Sequence, residues 1–263
     1  MSLNWIDVNE YSFNCLLLME RFQLRYLCQT DDAELRKSLG SALRGSPAVA
    51  WYVKQLLPEH AEHLDAMIAS APADADVRAC ELHVLAWIED FVTYTTPEVM
   101  ATKCPFVYGW HRERLYELAD LNGKVVLDVG SGSGRLAFAA AQKAREVYAC
   151  EPVGTLRQFL KDTITREGIS NVRVVDGFVE SLPYPDSTFD VIMSGHVVGD
   201  DVDTELAELE RVTKDGGWIL DCPGDQHCAL EPNEELIRRG FECLPYMGRF
   251  GAQVCRYRKQ VHK

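Results

Sequence analysis

Apolar residues recur at two different periods along this chain, and the period changes near residue 121. Before that point they fall at helical spacing, as in the runs from Leu16 to Leu27 and from Leu82 to Phe91. This spacing is typical of amphipathic helices. Prolines divide this part of the chain, and we predict four or five helices in it, one of them over residues 59–70. A segment rich in Thr and Pro, residues 93–105, predicts a connector.

From about residue 121 onward, short β-branched runs alternate with helical runs. The predicted strands are 125–129, 146–151, 172–176, 189–194 and 217–222, and the predicted helices are 134–144, 153–167, 202–213 and 232–239. Alternating βα units imply a parallel sheet with helices on both faces. Two last strand-like runs, 241–246 and 252–260, predict a closing antiparallel hairpin. The pattern therefore predicts an all-helical part, 1–105, followed by an α/β doubly wound domain, 106–263.

Composition narrows the classes of partner. The chain has 40 acidic and 27 basic residues and a formal net charge of -13. This balance argues against a nucleic-acid partner, which needs a basic surface, and suits a small or cationic substrate. No apolar run has the length of a membrane span, and residues 1–11 lack the pattern of a signal peptide. We expect a cytoplasmic protein without a membrane partner.

The nine cysteines are odd in number and follow no repeated spacing, which favours reduced thiols in the cytoplasm. Cys222 and Cys228 flank His227. No C-x-x-C pair accompanies them, so the spacing does not make a metal motif, and we expect no metal.

The stretch 125–134, Val-Val-Leu-Asp-Val-Gly-Ser-Gly-Ser-Gly, is the most informative of the chain. A strand that turns tightly into a helix exposes backbone N–H groups, and glycines let a ligand approach them. The stretch therefore predicts a nucleotide-like cofactor; a turn without a ligand is the alternative. In the dinucleotide pattern G-x-G-x-x-G the third glycine falls at Arg135, which is too bulky for that role, so NAD is disfavoured.

The pattern D-x-G-x-G-x-G, starting at Asp128, resembles motif I of the class I S-adenosylmethionine-dependent methyltransferases. The predicted sheet is similar to theirs, with seven strands in the order 3-2-1-4-5-7-6. Residues 177–191 also resemble a stretch of the type 11 subfamily. The resemblance implies S-adenosylmethionine (SAM) as cofactor, S-adenosylhomocysteine (SAH) as its product and in-line methyl transfer to a small-molecule acceptor. The implied cofactor contacts in the loop are Asp128, Gly130, Ser131, Gly132 and Gly134.

Two further segments fall where the resemblance places the adenosine. Glu151, which precedes Pro152 and lies 21 residues after Gly130, ends the second predicted strand, where an acid can accept both ribose hydroxyls. A solvated glutamate at a strand end is the alternative.

In the family, the residue after the glycine at position 177 is commonly an acid that takes the adenine amino group; here it is Phe178. We predict that Phe178 stacks on the adenine face, beside Gly177 and Val179. Plain core packing of Phe178 is the alternative.

Ser194, Gly195 and His196 follow the fourth predicted strand. Ligands of open α/β sheets bind outside the carboxyl ends of the strands, so these residues are expected near the reactive methyl group. His196 carries the one side chain there with a pKa suited to proton transfer near neutrality, and it is our candidate catalytic base. A histidine that bonds to backbone and only shapes the pocket is the alternative.

The segment before motif I places aromatic and basic residues together. Arg112 is a candidate for the methionine carboxylate, which an arginine can hold through two charge-assisted bonds. Tyr108 or Trp110 can border the sulfonium, which a π face attracts. The alternative is an amphipathic helix, 109–121, whose arginines lie in water.

The acceptor and the oligomeric state stay open. Residues 1–105 are expected to cap the acceptor site, and Trp51, Tyr52 and Trp87 either line a pocket or, as we prefer, pack in the helical core. A SAM-binding sensor or partner protein without transferase activity is the alternative function, and the departure at Phe178 favours it.

Overall fold

The computed structural model describes residues 6–104, 107, 109–225, 227–229 and 231–263. The chain divides into two compact units, a helical unit, Met1–Val99, and a sheet unit, Met100–Lys263. The division lies between residues 99 and 100, whereas the sequence pattern predicted it between 105 and 106. The predicted connector is partly helical, because the helix Pro97–Lys103 occupies much of it.

The described part of the helical unit holds more helices than the four or five predicted. They are α1 (Arg21–Cys28), α2 (Ala33–Gly45), α3 (Pro47–Leu56), α4 (Ala61–Ser70), α5 (Val77–Trp87) and α6 (Glu89–Tyr94), with α7 (Pro97–Lys103) at the division and short 3-10 helices at Val8–Glu10, Phe13–Leu18 and Pro58–His60.

The apolar run from Leu16 to Leu27 forms two elements rather than one helix. The chain is extended at Met19 (φ -88, ψ 148) and at Glu20 (φ -79, ψ 161), and α1 then starts with a capping box between Glu20 and Gln23. Both carboxamide and carboxylate satisfy backbone N–H groups that a helix start leaves unpaired. The capping box at Glu20 therefore separates the 3-10 helix Phe13–Leu18 from α1, although the apolar spacing continues through both.

The core of the helical unit consists mainly of leucines and valines from α1 to α6, together with Phe13 from the 3-10 helix Phe13–Leu18. We predicted that Trp51, Tyr52 and Trp87 pack in the helical core. Of the three, Tyr52 packs against this core. Trp51 is 62% exposed, and Trp87 stacks on the exposed Tyr26 with ring centroids 5.1 Å apart. Helical spacing alone does not separate a core tryptophan from one at the edge of the apolar face.

The sheet unit alternates strands and helices as predicted. Its strands are β1 (Val125–Val129), β2 (Glu146–Cys150), β3 (Val172–Val175), β4 (Phe189–Ser194), β5 (Thr213–Asp221), β6 (Glu242–Met247) and β7 (Gln253–Gln260). Its helices are α8 (Glu113–Tyr116), α9 (Arg135–Ala141), α10 (Gly154–Glu167), α11 (Val202–Val212) and α12 (Glu234–Arg238).

The strand order is β3-β2-β1-β4-β5-β7-β6, and β7 runs antiparallel to both of its neighbours. The predicted α/β fold, strand order and closing hairpin are thus confirmed.

Two elements differ in length from the predicted ones. The predicted helix 109–121 contracts to the single turn of α8, and β5 begins at Thr213 because a register shift opposite Phe189 and Val191 absorbs residues 214–217.

Every residue of β1 is buried, as in a central parallel strand covered on both faces. Val126 belongs to the core shared with α9, and Leu127 to the core shared with α11. Asp128 is the charged residue of this strand, and it is as inaccessible as the valines beside it.

Within the described residues, none of the helices has both the length and the hydropathy that crossing a bilayer requires.

Candidate cofactor site

The glycine loop between β1 and α9 has a backbone that favours glycine at three positions. Gly130, Gly132 and Gly134 have φ values of 63, 55 and 91, the left-handed region that other residues rarely adopt. At Gly134 a Cβ atom would also lie 2.7 Å from the Leu160 side chain and against Phe138. The third glycine therefore lets α9 pack closely on α10.

Backbone hydrogen bonds fasten this loop to the end of β2. The N–H groups of Gly130 and Ser131 donate to the Cys150 carbonyl at 2.8 and 3.2 Å, and Gly134 N–H donates to the Ser131 carbonyl at 2.8 Å. The loop is thus preformed beside the residue that follows Cys150, which is Glu151.

Glu151 lies where the ribose contact was predicted. Its Oε2 accepts the Gly132 N–H at 2.8 Å, and its Oε1 accepts the Val153 N–H at 2.9 Å. The residue is 4% exposed, so a solvated glutamate is wrong. Burial raises the pKa of Glu151, while the two N–H bonds and the charge of Arg157 oppose that rise. Each carboxylate oxygen keeps a lone pair for a further donor, and Pro152 leads the chain from this acid into α10.

Asp128 connects β1 to the first turn of α9, on either side of the glycine loop. It is 1% exposed, and its Oδ2 accepts the Ala137 N–H of α9 at 3.0 Å. Burial raises the pKa of Asp128 to about 7, against the opposing effects of the Arg135 charge and the bonds from Ser131 and Ala137. The acid therefore joins β1 to α9 and does not merely end a strand in water.

Ser194, the last residue of β4, lies in register with Val129 on one side and with Asp221 on the other. The next residue, Gly195, has no room for a side chain, since a Cβ atom there would lie 2.7 Å from Arg135 Nη2 and 2.9 Å from the Cys222 carbonyl oxygen. Three strand ends and the start of α9 thus converge at this point. The sequence placed Ser194 and Gly195 there but did not identify Asp221.

His196 has a left-handed backbone, with φ 64. Although the residue is exposed to solvent, the protein around the imidazole and the nearby Arg135 charge both disfavour the cation. They lower the pKa of His196 to about 4. At neutral pH the imidazole is therefore uncharged.

The loop after β4 covers the glycine loop, because the Val197 side chain occupies the space above Gly130. The buried Glu205 holds this loop in place, accepting the N–H groups of Gly199, Asp200 and Asp201 at 2.7, 3.2 and 3.1 Å. Sequence reasoning missed Glu205, since a glutamate inside a helix carries no signal that it turns back to an earlier loop.

Gly177, Phe178 and Val179 follow β3. Gly177 is close-packed, as a Cβ atom there would lie 2.8 Å from the Cys150 sulfur, and Val179 is buried in the core shared with α11. Phe178 is 43% exposed, so plain core packing is wrong. The acid before Gly177, Asp176, pairs with Arg157 at 3.0 Å.

The structure does not bring Arg112 to the loop. Its side chain is half exposed, it donates to the Gln142 carboxamide, and its Nε lies 3.6 Å from Glu113. Gln142 follows the last residue of α9, about 10 Å from the glycine loop at the other end of that helix. Arg112 is therefore a surface arginine, which was the alternative to a carboxylate contact. Tyr108 lies outside the described residues.

Arg135 is the first residue of α9 and follows the glycine loop directly. Its Nη2 donates to the Cys222 carbonyl at 2.7 Å, and its guanidinium carbon lies 4.5 Å from the centre of the Trp110 ring. Arg135 Nη1 and Trp110 Nε1 are both buried, and neither has a hydrogen-bond partner among the described residues. From the sequence alone, Arg135 was interpreted only as a residue too bulky for the NAD pattern.

These residues fit SAM. Glu151 is a buried acid at the end of β2, three glycines open the loop after β1, the Phe178 ring after β3 is exposed, and two buried donors lack acceptors within the described part of the chain. Among the described residues, no group of three or more His, Cys, Asp or Glu side chains is arranged to hold a metal ion.

Comparison with known proteins agrees with this site. A family described as a methyltransferase domain matches residues 127–220. A demethylmenaquinone methyltransferase of Thermobifida fusca is 30% identical over 146 residues, which are 53% of this chain and 60% of that protein. An arsenite methyltransferase of Aquipseudomonas alcaligenes is 32% identical over 173 residues, 60% of this chain and 48% of that protein. The chain thus spans about half the length of these relatives.

A solved structure from Methanococcus maripaludis, described as an S-adenosyl-L-methionine-dependent methyltransferase, has the same fold. It aligns over 65% of this chain and 94% of its own, with a TM-score of 0.52 and 18% sequence identity. The strand order, the glycine loop and the family match agree. The sheet unit has the fold of the class I methyltransferases, and its residues 127–220 match a methyltransferase domain.

Proposed function

We propose that this protein transfers the methyl group of SAM to a small-molecule acceptor. The observation that carries the proposal is the Glu151 carboxylate, which is buried at the end of β2 and bonded to the Gly132 N–H at 2.8 Å. Two ribose hydroxyls presented to this carboxylate would meet acceptor oxygens that are already oriented. Phe178 would cover the adenine, and Gly130, Ser131 and Gly132 would lie along the sulfur end.

SAM supplies a methyl group that is already activated by the sulfonium. An electron pair of the acceptor, either a lone pair or a π pair at a ring carbon, forms the new bond to the methyl carbon. The carbon–sulfur bond breaks at the same time, and its electrons return to sulfur. The protein's part is to align the acceptor and exclude water. The loop after β4, which Glu205 holds over Gly130, would help to exclude water.

An acceptor hydroxyl or ammonium group, or a ring carbon that takes the methyl group, must also lose a proton. His196 is neutral at pH 7 and can accept one, but its low pKa of about 4 makes it a weak base. Asp221, at the end of β5, has a pKa raised to about 7 by burial, closer to the value that suits proton transfer at neutrality. We propose His196 as the group next to the acceptor and Asp221 as the second candidate base.

The relatives' names suggest two acceptor classes, quinones and arsenite. Arsenite is held by thiolates, and the cysteines at the strand ends are poorly suited to it. Burial raises the pKa of Cys150 to about 12 and that of Cys222 to about 11, so both stay thiols at neutral pH. We therefore propose a ring acceptor of the quinone class ahead of arsenite. The helical unit, by this proposal, takes part in acceptor choice.

A SAM-binding sensor without transferase activity is the second candidate. Phe178, in place of the acid common in the family, is the observation that favours it. A sensor binds SAM and SAH but forms no SAH when acceptors are added.

The first test is calorimetric titration of the purified protein with SAM, SAH and NAD in separate experiments. Micromolar binding of SAM or SAH with no response to NAD supports the proposal. Formation of SAH from SAM in the presence of a demethylated quinone, and not of arsenite, then supports the acceptor class. Failure to bind SAM and SAH contradicts the proposed function.

A further inference from the structure

The loop after β4 lies across the crevice between two neighbouring strand ends. The strand order reverses between β1 and β4, which are in register at Val129 and Ser194. Ligands of open α/β sheets bind at such a switch point. Just beyond the two strand ends, the Val197 side chain occupies the space that a Cβ atom of residue 130 would fill, so it packs directly on Gly130. A ligand that enters or leaves on this side has to pass the loop.

One buried acid holds the loop in this position. Glu205, in the first turns of α11, is 1% exposed. Its carboxylate accepts the backbone N–H groups of Gly199, Asp200 and Asp201 at 2.7, 3.2 and 3.1 Å. A buried carboxylate is costly without such bonds. The closed position of the loop therefore satisfies the acid and three N–H groups at once.

The backbone of the loop opposes these bonds. His196 has φ 64, a left-handed conformation that is uncommon outside glycine and persists only where surrounding contacts hold it. Gly199 has room to move, since none of the described residues has an atom within 4 Å of a Cβ built there. Asp201 fixes the far end of the loop by accepting the Thr204 N–H of α11 at 3.2 Å. Strain and free space on one side, and the Glu205 bonds on the other, make a segment that can open and close between fixed ends.

We propose that residues 196–200 form a gate over the cofactor crevice, and that Glu205 is the positioning residue that keeps this gate closed. The inference rests on the proposed function, because it takes the crevice as the SAM site. It assigns Glu205 to the rate of cofactor exchange rather than to affinity, since its carboxylate bonds to the loop backbone. Release of SAH after methyl transfer then requires the gate to open, as loop opening limits turnover in many enzymes.

Glu205→Gln tests the gate, because an amide NH₂ replaces one carboxylate oxygen and has to face an N–H donor. Surface plasmon resonance with SAH gives the association and dissociation rate constants. Both should rise about tenfold, the range expected for loss of hydrogen bonds to a charged group. The Kd should stay within about threefold, since the closed loop is weakened alike in the free and the bound protein. Val197→Ala removes the side chain that packs on Gly130 and should raise both rate constants in the same way.

Glu210→Gln is the matched control, because Glu210 lies on the same helix but pairs with Lys259 at 2.7 Å. It should exchange SAH at the wild-type rates. If Glu205→Gln unfolds, as circular dichroism would show, Val197→Ala decides the question. Wild-type rate constants in Val197→Ala and in a folded Glu205→Gln overturn this inference alone. So does a lower SAH affinity with an unchanged association rate, which would make Glu205 part of the binding surface. A wild type that does not bind SAH overturns the proposed function, and this inference with it.

Discussion

The carboxylate of Glu151 and the backbone N–H of Gly132 are joined by a 2.8 Å hydrogen bond, which links the end of β2 to the middle of the glycine loop. The other carboxylate oxygen accepts the Val153 N–H. One side chain therefore holds the loop open and presents its remaining lone pairs at the predicted ribose position.

Glu151→Gln is expected to weaken SAH binding about 10- to 100-fold, because an amide NH₂ has to face one of the two N–H donors and cannot accept from it. Titration calorimetry measures the change. Glu146→Gln, at the first residue of β2 and paired with Arg173, is the control and should bind SAH like the wild type. Equal affinities for all three proteins would remove Glu151 from the site.

Phe178→Ala should lower SAH affinity by about 1–3 kcal/mol, the range of base stacking on an aromatic ring. Its stability should change little, since Phe178 is 43% exposed. Ile237 is also 43% exposed, and Ile237→Ala serves as the control for loss of an exposed apolar side chain. Unchanged SAH binding by Phe178→Ala would show that this ring does not cover the adenine.

Gly134→Ala should cost about 2–4 kcal/mol of unfolding free energy, since it adds a left-handed backbone penalty to a clash with Leu160 and Phe138. Gly216→Ala has the same kind of backbone, with φ 74, but none of the described residues has an atom within 4 Å of the new Cβ. It should cost only about 1–2 kcal/mol. Urea unfolding measures both. Equal costs would mean that the close packing of α9 on α10 is not what requires glycine.

Asp221 should make stability depend on pH. Burial raises its pKa from 3.8 to about 7, against the opposing Arg135 charge and Ser194 bond. The folded protein therefore keeps a proton that the unfolded chain loses near pH 4. This contribution to stability is complete below pH 4 and is lost as pH rises through 7.

Asp221→Asn, which cannot titrate, should consequently gain stability relative to the wild type between pH 4 and 7, by at most about 4 kcal/mol. Urea unfolding at several pH values gives the difference curve. Asp200→Asn, at an exposed position, is the matched control for removing a carboxylate. A flat curve for Asp221→Asn would contradict the raised pKa.

The His196 imidazole should stay neutral from pH 5.5 to 8, since the surrounding protein and the Arg135 charge lower its pKa to about 4. Nitrogen-15 NMR of the histidine rings, with His196→Gln to assign the signal, measures the titration directly. Arg135→Met should raise the midpoint. A wild-type midpoint above 6 would restore His196 as a base of ordinary strength.

Local patterns were sufficient for the sheet. Buried β-branched runs such as Val125–Val129 predict central strands, and alternate glycines after an acid predict the loop. These signals lie within ten residues of one another, so the backbone preferences that cause them can be read directly. The strand order came from the family resemblance, and the structure confirms it. Helix lengths were less predictable, because caps such as Glu20 and bulges such as that before Trp218 depend on contacts formed later.

The sequence by itself determined that an acid, Glu151, and a glycine loop would meet at the carboxyl edge of a parallel sheet. Only the tertiary structure decided which cation lies there. Arg112 and Arg135 are equally basic in the sequence, yet one bonds to the far end of α9 and the other reaches the Cys222 carbonyl, 87 positions along the chain. Such contacts follow from the order of the strands, because strands distant in sequence become neighbours only when the sheet is assembled.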